Sequence, residues 1–271
     1  MFRIALAALL LSATVEAGGP GFTLGTEAVG YSPHYHWGSG PAPEYAGFAR
    51  ELFDAFASQE NLQLHYLPLP VKRLYQQFLR TGGLDFKYPD SPEWQAPLRA
   101  GLSITYSRPA AHYIDGIISL NQQPPLKRLG TIRGFNPTPY LHAIHNGDIA
   151  ISEFTRVTDL LQALLHQRID GAYLNIDVGM YQASGQLGAG ARVCFNTQLP
   201  FVSGGYRLAT RKHPEVIAAF DRFLQTNATR IAAMKQRHGV QLAAIDLNNV
   251  KTRHRHRCQP KPAQTILSTD K

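Results

Sequence analysis

Long hydrophobic runs, cysteines and familiar catalytic signatures are all scarce in this sequence. Beyond residue 17, nowhere do about 18 apolar residues run consecutively, so no later segment is suited to cross a membrane as a helix. Cysteine occurs only at Cys194 and Cys258, which excludes a small scaffold stapled by several bridges. One disulfide between them remains open and would tie the C-terminal end to the body. A Gly-x-Ser-x-Gly elbow, a His-Glu-x-x-His helix and a phosphate-cradling P-loop are missing, as is any repeat at a solenoid period.

What is present is the composition of a folded protein. Of 271 residues, 44% are apolar and 17% charged, enough for one large or two modest cores. The formal net charge is +8, but residues 251–271 hold six bases against Asp270 alone. The excess is thus largely a property of a C-terminal tail, and nucleic acid is not an expected partner. Within that tail, Arg253-His254-Arg255-His256-Arg257 has neither helical period nor interleaved aromatics and reads as a solvated end. Residues 1–17 combine Arg3, the apolar run Ile4 to Ser12 and the small-residue ending Val15-Glu16-Ala17, the pattern of a secretory signal. No cysteine follows the expected cut, so the mature chain is expected to be periplasmic, soluble and without a lipid anchor.

Strand and helix signals then alternate. Phe22 to Gly30 reads as a strand, followed by a loop, Tyr31 to Pro41, dense in aromatics and breakers. Phe48, Leu52, Phe53 and Phe56 recur at helical spacing, predicting a helix over 45–59. Strand character resumes at 62–67. Pro70 precedes a helix over 71–80 that Gly82-Gly83 stops, and Leu84-Asp85-Phe86 opens another strand before a Lys87 to Pro92 loop. After an extended run at 114–120, Asn121 to Pro125 is a polar, proline-rich linker. A second alternation follows: strands at 129–132, 149–151, 169–174 and 201–210, with Thr138 and Thr158 as expected helix caps and Pro214 opening a long last helix. This order predicts α/β architecture with largely parallel sheets, whose ligands collect beyond the carboxyl ends of the strands.

Several short blocks, in order, resemble one family. Tyr45-Ala46-Gly47-Phe48-Ala49-Arg50-Glu51-Leu52 and Pro70-Val71-Lys72-Arg73-Leu74 with Gly82-Gly83-Leu84-Asp85 are similar to the start of bacterial periplasmic solute-binding proteins of family 3. Tyr106-Ser107-Arg108-Pro109, Arg168-Ile169-Asp170-Gly171-Ala172 and Gly205 to Lys212 resemble its later blocks, so that residues 22–240 are covered. The resemblance implies a two-lobed type II periplasmic binding fold, each lobe a mostly parallel sheet flanked by helices, joined by two crossover strands. Lobe one would comprise 18–116 plus 204–250 and lobe two 117–203. It implies a monomer that closes by a hinge on a small polar ligand and delivers it to a membrane permease or sensor, without catalysis, cofactor or metal.

The departures carry information as well. Amino-acid-binding members place an arginine after the fourth strand to clamp the ligand carboxylate; this chain has Glu93-Trp94 there. Where the family has an acid for the ligand ammonium, this chain has Asn175, with Asp177 two residues on. An ordinary α-amino acid is therefore not the expected ligand.

Candidate binding residues follow from position and chemistry. Tyr31, His36 and Trp37 lie in the first post-strand loop, where aromatics stack or hydrogen-bond a ligand. Arg73 opens a helix where the dipole does not favour a cation, which suggests a ligand anion. Tyr88 and Ser107 fall in segments at the functional edge. Asn136 and Thr138 belong to a turn offering backbone N–H groups at a helix start, an anion site in the making. Asn175 and Asp177 follow a second-lobe strand. His34 and His36 could make half a metal site with His142 or His145, but His-x-His is weak as a signature. The competing readings are an exported, dehydratase-like enzyme using Glu93, Asp177 or His36 as acid or base, and a regulatory module that has lost its ligand.

Overall fold

The computed structural model describes residues 19–120, 125–186 and 193–240. The expected signal segment, linker residues 121–124, Cys258 and the basic tail lie outside these. The strands are β1 (Gly21–Glu27), β2 (His36–Trp37), β3 (Tyr45–Ala46), β4 (Gln63–Leu69), β5 (Phe86–Asp90), β6 (Thr105–Tyr106), β7 (Ala111–Ser119), β8 (Arg128–Ile132), β9 (Ala150–Phe154), β10 (Gly171–Asn175), β11 (Cys194–Phe195) and β12 (Val202–Thr210). The helices are α1 (Phe48–Gln59), α2 (Val71–Gln76), α3 (Ala96–Arg99), α4 (Leu141–His145), α5 (Val157–Leu165), α6 (Ile176–Gln186), α7 (Pro214–Thr226) and α8 (Ala228–His238).

One sheet runs β4-β1-β5-β12-β7-β10-β8-β9, and its register divides it into two halves. β4, β1 and β5 are parallel, as are β10, β8 and β9. Between them, β12 pairs with β5 through Arg207 to Thr210 and with β7 through Val202 to Tyr206. β7 in turn faces β12 with its first half and β10 with its second. These antiparallel strands, β7 and β12, are the two crossovers, and they carry the chain between two lobes.

Each half-sheet is covered by amphipathic helices. α1 buries Phe48, Leu52, Phe53 and Phe56 on one face, and α7 answers with Val216, Ile217, Phe220 and Phe223. Phe220 stacks on Phe53 at 5.3 Å between ring centres and meets Phe56 edge-on at 4.9 Å. In the second lobe, α5 buries Val157, Leu160, Leu161 and Leu164. Gly130 on β8 makes that contact possible, since a Cβ there would lie 2.5 Å from both Ile169 and Leu160 side chains.

The local boundaries differ from the sequence expectations where tertiary partners intervene. α1 starts at Phe48 because Tyr45–Ala46 pairs with His36–Trp37, and Gly47 turns the corner at φ 97° with the backbone of Tyr35 3.0 Å from where a Cβ would stand. α2 widens into a π turn over Gln77–Thr81 before left-handed Gly82 ends it. The stretch Phe86 to Asp90, expected to leave its strand at Lys87, continues as buried β5, because Lys87 and Asp90 neutralise one another inside the sheet at 3.0 Å. Thr138 begins a short 3₁₀ turn behind Pro137 rather than capping a helix, and Thr158 lies within α5, behind extended Arg156. Cys194 is buried on β11 and disulfide-bonded. Among the described residues no helix is long and apolar enough to cross a membrane.

Phe220→Ala should cost about 3–5 kcal/mol, the range for truncating a buried phenylalanine. Urea denaturation followed by circular dichroism measures it; a loss below about 1 kcal/mol would show that the α1–α7 aromatic layer is not a principal core.

Candidate functional site

Two strand ends and two crossover strands meet at one place. β1 stops at Glu27 and leads into the Gly30–Tyr31 loop, β10 stops at Asn175, and the crossovers bring Asp115 and Tyr206 beside them. The lobes touch here directly. The Asn175 backbone N–H donates to Tyr31 Oη at 3.0 Å, and Gln182 donates to the Gly30 carbonyl at 3.2 Å. Tyr31 and Phe135 rings meet edge-on at 5.4 Å. At the mouth Gly134, at φ 90°, approaches α2 so closely that a Cβ would be 3.0 Å from that of Val71.

These contacts enclose a cavity of about 50 Å³ lined from both lobes. A single water-sized probe occupies roughly 10–15 Å³, so the space suits a solute of a few non-hydrogen atoms. Aromatic rings dominate its wall: Tyr31, Tyr35, Tyr75, Trp94, Phe135, Tyr173 and Tyr206. The ionisable aliphatic groups that reach it are Glu27 and Asp115, both carboxyls.

Burial pushes the Glu27 carboxyl above its ordinary range, partly offset by Lys87 and by the Tyr35 hydroxyl, which donates to Glu27 Oε2 at 2.5 Å. Burial, reinforced by Glu27, pushes Asp115 up to about 8. Asp115 Oδ1 is buried and has no hydrogen-bond partner. A carboxyl in that setting is held protonated at neutral pH unless an opposite charge arrives.

Behind the wall lies a charge cluster that fixes two of its rings. Lys87 Nζ lies 4.5 Å from the Tyr75 ring centre and 5.7 Å from that of Trp94. Arg99 grips Asp90 through two nitrogens at 2.6 and 3.0 Å and donates to the Trp94 carbonyl at 2.6 Å and Tyr106 Oη at 2.7 Å. Trp94 Nε1 donates to Tyr113 Oη at 3.0 Å. The arginine nearest the family's clamp position is therefore consumed behind the cavity and does not face it.

The structure distributes the sequence candidates unevenly. Tyr31 and Asn136 line the cavity. Asn175 is fully buried at its base in a structural role: its side-chain oxygen accepts from the N–H groups of Asp177 and Val178, capping α6, and its amide donates to Tyr206 Oη. Six others and Asp177 lie off the wall. His36 hydrogen-bonds Ser32 beside a separate outer groove, and Trp37 packs on Tyr45. Arg73 is exposed on α2, because its helix turns Val71 and Tyr75 inward instead. Tyr88 is fully buried against Phe53 in the first core. Ser107 Oγ accepts from the Leu208 N–H and fixes a strand end. Thr138 is exposed, its hydroxyl donating to the Asn136 carbonyl. Asp177 opens α6. Glu93 is exposed and accepts from the Ser91 hydroxyl.

Most of the expected anion cradle at Gly134 to Thr138 is spent within the turn, the Asn136 N–H aside. Gly134 N–H donates to Glu153 Oε1, Phe135 N–H to the Ile132 carbonyl and Thr138 N–H to the Asn136 carbonyl, and Pro137 has no N–H. His34 is buried against Tyr206, apart from the exposed His142 and His145, and burial lowers it to about 3. Among the described residues, no three His, Cys, Asp or Glu side chains are arranged to hold a metal. Sequence reasoning missed Glu27 and Asp115. Their signal was a lone acid at the end of an apolar strand and another inside Tyr113-Ile114-Asp115-Gly116-Ile117.

No family model and no curated protein sequence matches the chain. Solved structures do. The substrate-binding protein of an amino acid ABC transporter superposes with TM-score 0.63 at 16% identity, covering 82% of this chain and 100% of that one. A periplasmic binding protein of an arginine transport system from Legionella pneumophila gives 0.64 at 14%, covering 80% and 98%. An ancestral amino acid-binding protein described as a precursor of cyclohexadienyl dehydratase gives 0.60 at 17%, covering 80% and 94%. The fold is that of the periplasmic binding proteins. In this fold the cavity described above occupies the cleft between the lobes, with the crossovers as its floor.

The unliganded protein should lose stability with rising pH because of Asp115. A carboxyl raised above its unfolded value contributes stability that is complete below about 4 and lost as pH climbs through about 8. His34, lowered by burial, acts oppositely: its contribution is complete above the usual 6.5 and lost as pH falls toward about 3. Between pH 6.5 and 8 the Asp115 slope should therefore stand out, at up to about 1.4 kcal/mol per pH unit. Denaturant midpoints across this range test it; Asp115→Asn should flatten the slope, and an unchanged slope would refute the assignment.

Proposed function

We propose that the protein is a solute receptor: it encloses a small polar solute between its lobes, does not transform it, and as a monomer presents the closed form to a membrane permease or sensor. The observation that carries this reading is the cavity whose wall is contributed by both lobes and both crossover strands. A solute there touches both halves at once, and only such contacts favour the closed form over the open one. The direct lobe-to-lobe contacts include two hydrogen bonds, the edge-on Tyr31–Phe135 pair and the packing of Gly134 against Val71, contacts that would part if the hinge opened. Solved proteins with this fold are described as substrate-binding components of amino acid transporters, which supports the same role.

A receptor reading fits the wall better than the exported-enzyme alternative. The acids and base that the alternative would use, Glu93, Asp177 and His36, all lie outside the cavity. The signal segment expected at residues 1–17 supports delivery to the periplasm.

Small-angle scattering on the mature protein, with a thermal-shift panel of amino acids, amines, organic acids and sugars, tests the proposal. A binding solute should raise the melting temperature, shrink the radius of gyration and be recovered chemically unchanged. Gly134→Val, which forces a side chain against Val71, should prevent the contraction and weaken binding by more than about tenfold, ~1.4 kcal/mol. Contraction with no solute specificity, or consumption of the solute, would overturn the receptor reading.

A further inference from the structure

We infer that the solute is a small organic cation without a carboxylate, its charged nitrogen held by Glu27 and Asp115 within the ring of aromatic faces. This rests on the receptor reading and names the ligand class. Three independent features of the cleft lead to it.

The first is the balance of charge. In and directly behind the cavity stand three carboxyls, Glu27, Asp90 and Asp115, against two cations, Lys87 and Arg99. Both cations are committed to Asp90, and neither reaches the wall. With all five ionised the site is one positive charge short, and the shortage falls at Asp115, whose Oδ1 has no partner.

The second is the wall itself. The faces of tyrosine and tryptophan attract a cation electrostatically, and a desolvated site strengthens that attraction. Lys87, held 4.5 Å from the Tyr75 ring centre, already shows this wall accepting a cation on its outer side. Tyr31, Trp94, Phe135 and Tyr206 add further aromatic side chains to the same wall.

The third is the lack of an anion receptor. Among the described residues, no lysine, arginine or histidine lines the cavity. At the mouth, Lys72 and Arg133 both lie against Glu153, at 3.8 and 4.0 Å, and the Gly134 N–H is bonded to the same residue. A ligand carboxylate would enter a space already holding two carboxyls and would find no opposite charge. Its burial would be strongly unfavourable.

Binding should be linked to proton release. The groups whose charge bears on Asp115 are Glu27 from β1, itself facing Lys87 from β5, and the phenols Tyr31, Tyr113, Tyr173 and Tyr206, all pushed upward by burial and so neutral. A cation selects the ionised carboxyls. Apparent affinity should therefore rise by up to about tenfold per pH unit between pH 6 and 8 and level off above.

Calorimetric titration of the mature protein tests this with choline, tetramethylammonium and 1,4-diaminobutane as cations, arginine and glutamate as amino acids, and 3,3-dimethylbutan-1-ol as the uncharged counterpart of choline. At least one cation should bind and contract the particle in scattering, with proton release read from buffers of different ionisation enthalpy, while the alcohol should not bind. Asp115→Asn and Glu27→Gln, each checked for folding by circular dichroism, should weaken the cation at least tenfold and reduce the proton release. Closure by arginine or glutamate with no response to the cations would overturn the cation assignment and leave the receptor reading standing. If no solute of any class closes the lobes, the receptor reading itself fails. Equal binding of choline and its uncharged counterpart, or variants that bind as the parent does, would also overturn the assignment.

Discussion

β12 hydrogen-bonds to β5 with one half and to β7 with the other, and β7 does likewise between β12 and β10. These two strands belong to both lobes, so any movement of one lobe against the other must be absorbed in or beside them. They also deliver Asp115 and Tyr206 to the cavity. On the proposed reading, the side chains that meet a solute thus stand on the backbone that would bend as the lobes close. Binding and hinge motion would then need no separate pathway between them, since one segment would serve both.

The second constraint is electrostatic. Placing Lys87, Asp90 and Arg99 inside the first lobe gains little net stability, because desolvation offsets most of the attraction between buried partners. What the cluster supplies is position. Arg99 is anchored by both nitrogens to Asp90, holds the Trp94 carbonyl, and leaves the Trp94 indole bonded to Tyr113. The indole and the Tyr75 ring are thereby fixed as wall before any solute arrives. On the proposed reading, such preorganisation spares the ordering cost that a loose aromatic loop would incur on binding.

Much of the fold was legible because it rests on local patterns. The 3.6-residue spacing of Phe48, Leu52, Phe53 and Phe56, the proline opening α7 and the order of short family-like blocks led to the two-lobed α/β arrangement seen in the structure. The site was less legible for a physical reason. Its wall is assembled from residues distant in sequence, Glu27, Trp94, Asp115 and Tyr206, which only the crossover topology makes neighbours. Loop residues singled out for their chemistry, such as His36, Trp37 and Arg73, were placed by proximity in sequence to strand ends. Half a helical turn separates Arg73, which faces solvent, from Val71 and Tyr75, which face the cavity. Tyr88 lies away from the cavity for a related reason: β5 runs on past Lys87 because a buried partner neutralises that lysine, and no periodicity announces such a pair.

The missing clamp arginine and the two unanticipated acids form one account. A fold of this type fixes where a solute sits but not the sign of the charge it must carry. That sign is decided by which ionisable groups reach the wall and which are spent behind it. Here the buried basic groups, Arg99 and Lys87, are spent on Asp90, while Lys72 and Arg133 stay exposed beside Glu153 and off the wall. The carboxyls of Glu27 and Asp115 are what remain facing inward, and Asp115 lacks even a hydrogen-bond donor for one oxygen. Converting the cleft to an anion receptor would therefore take more than one substitution. A guanidinium would have to be freed from Asp90, which would leave that aspartate buried without its bidentate partner and Trp94 without its anchor. The charge preference proposed for the solute is thus built into the same interactions that hold the aromatic wall in place.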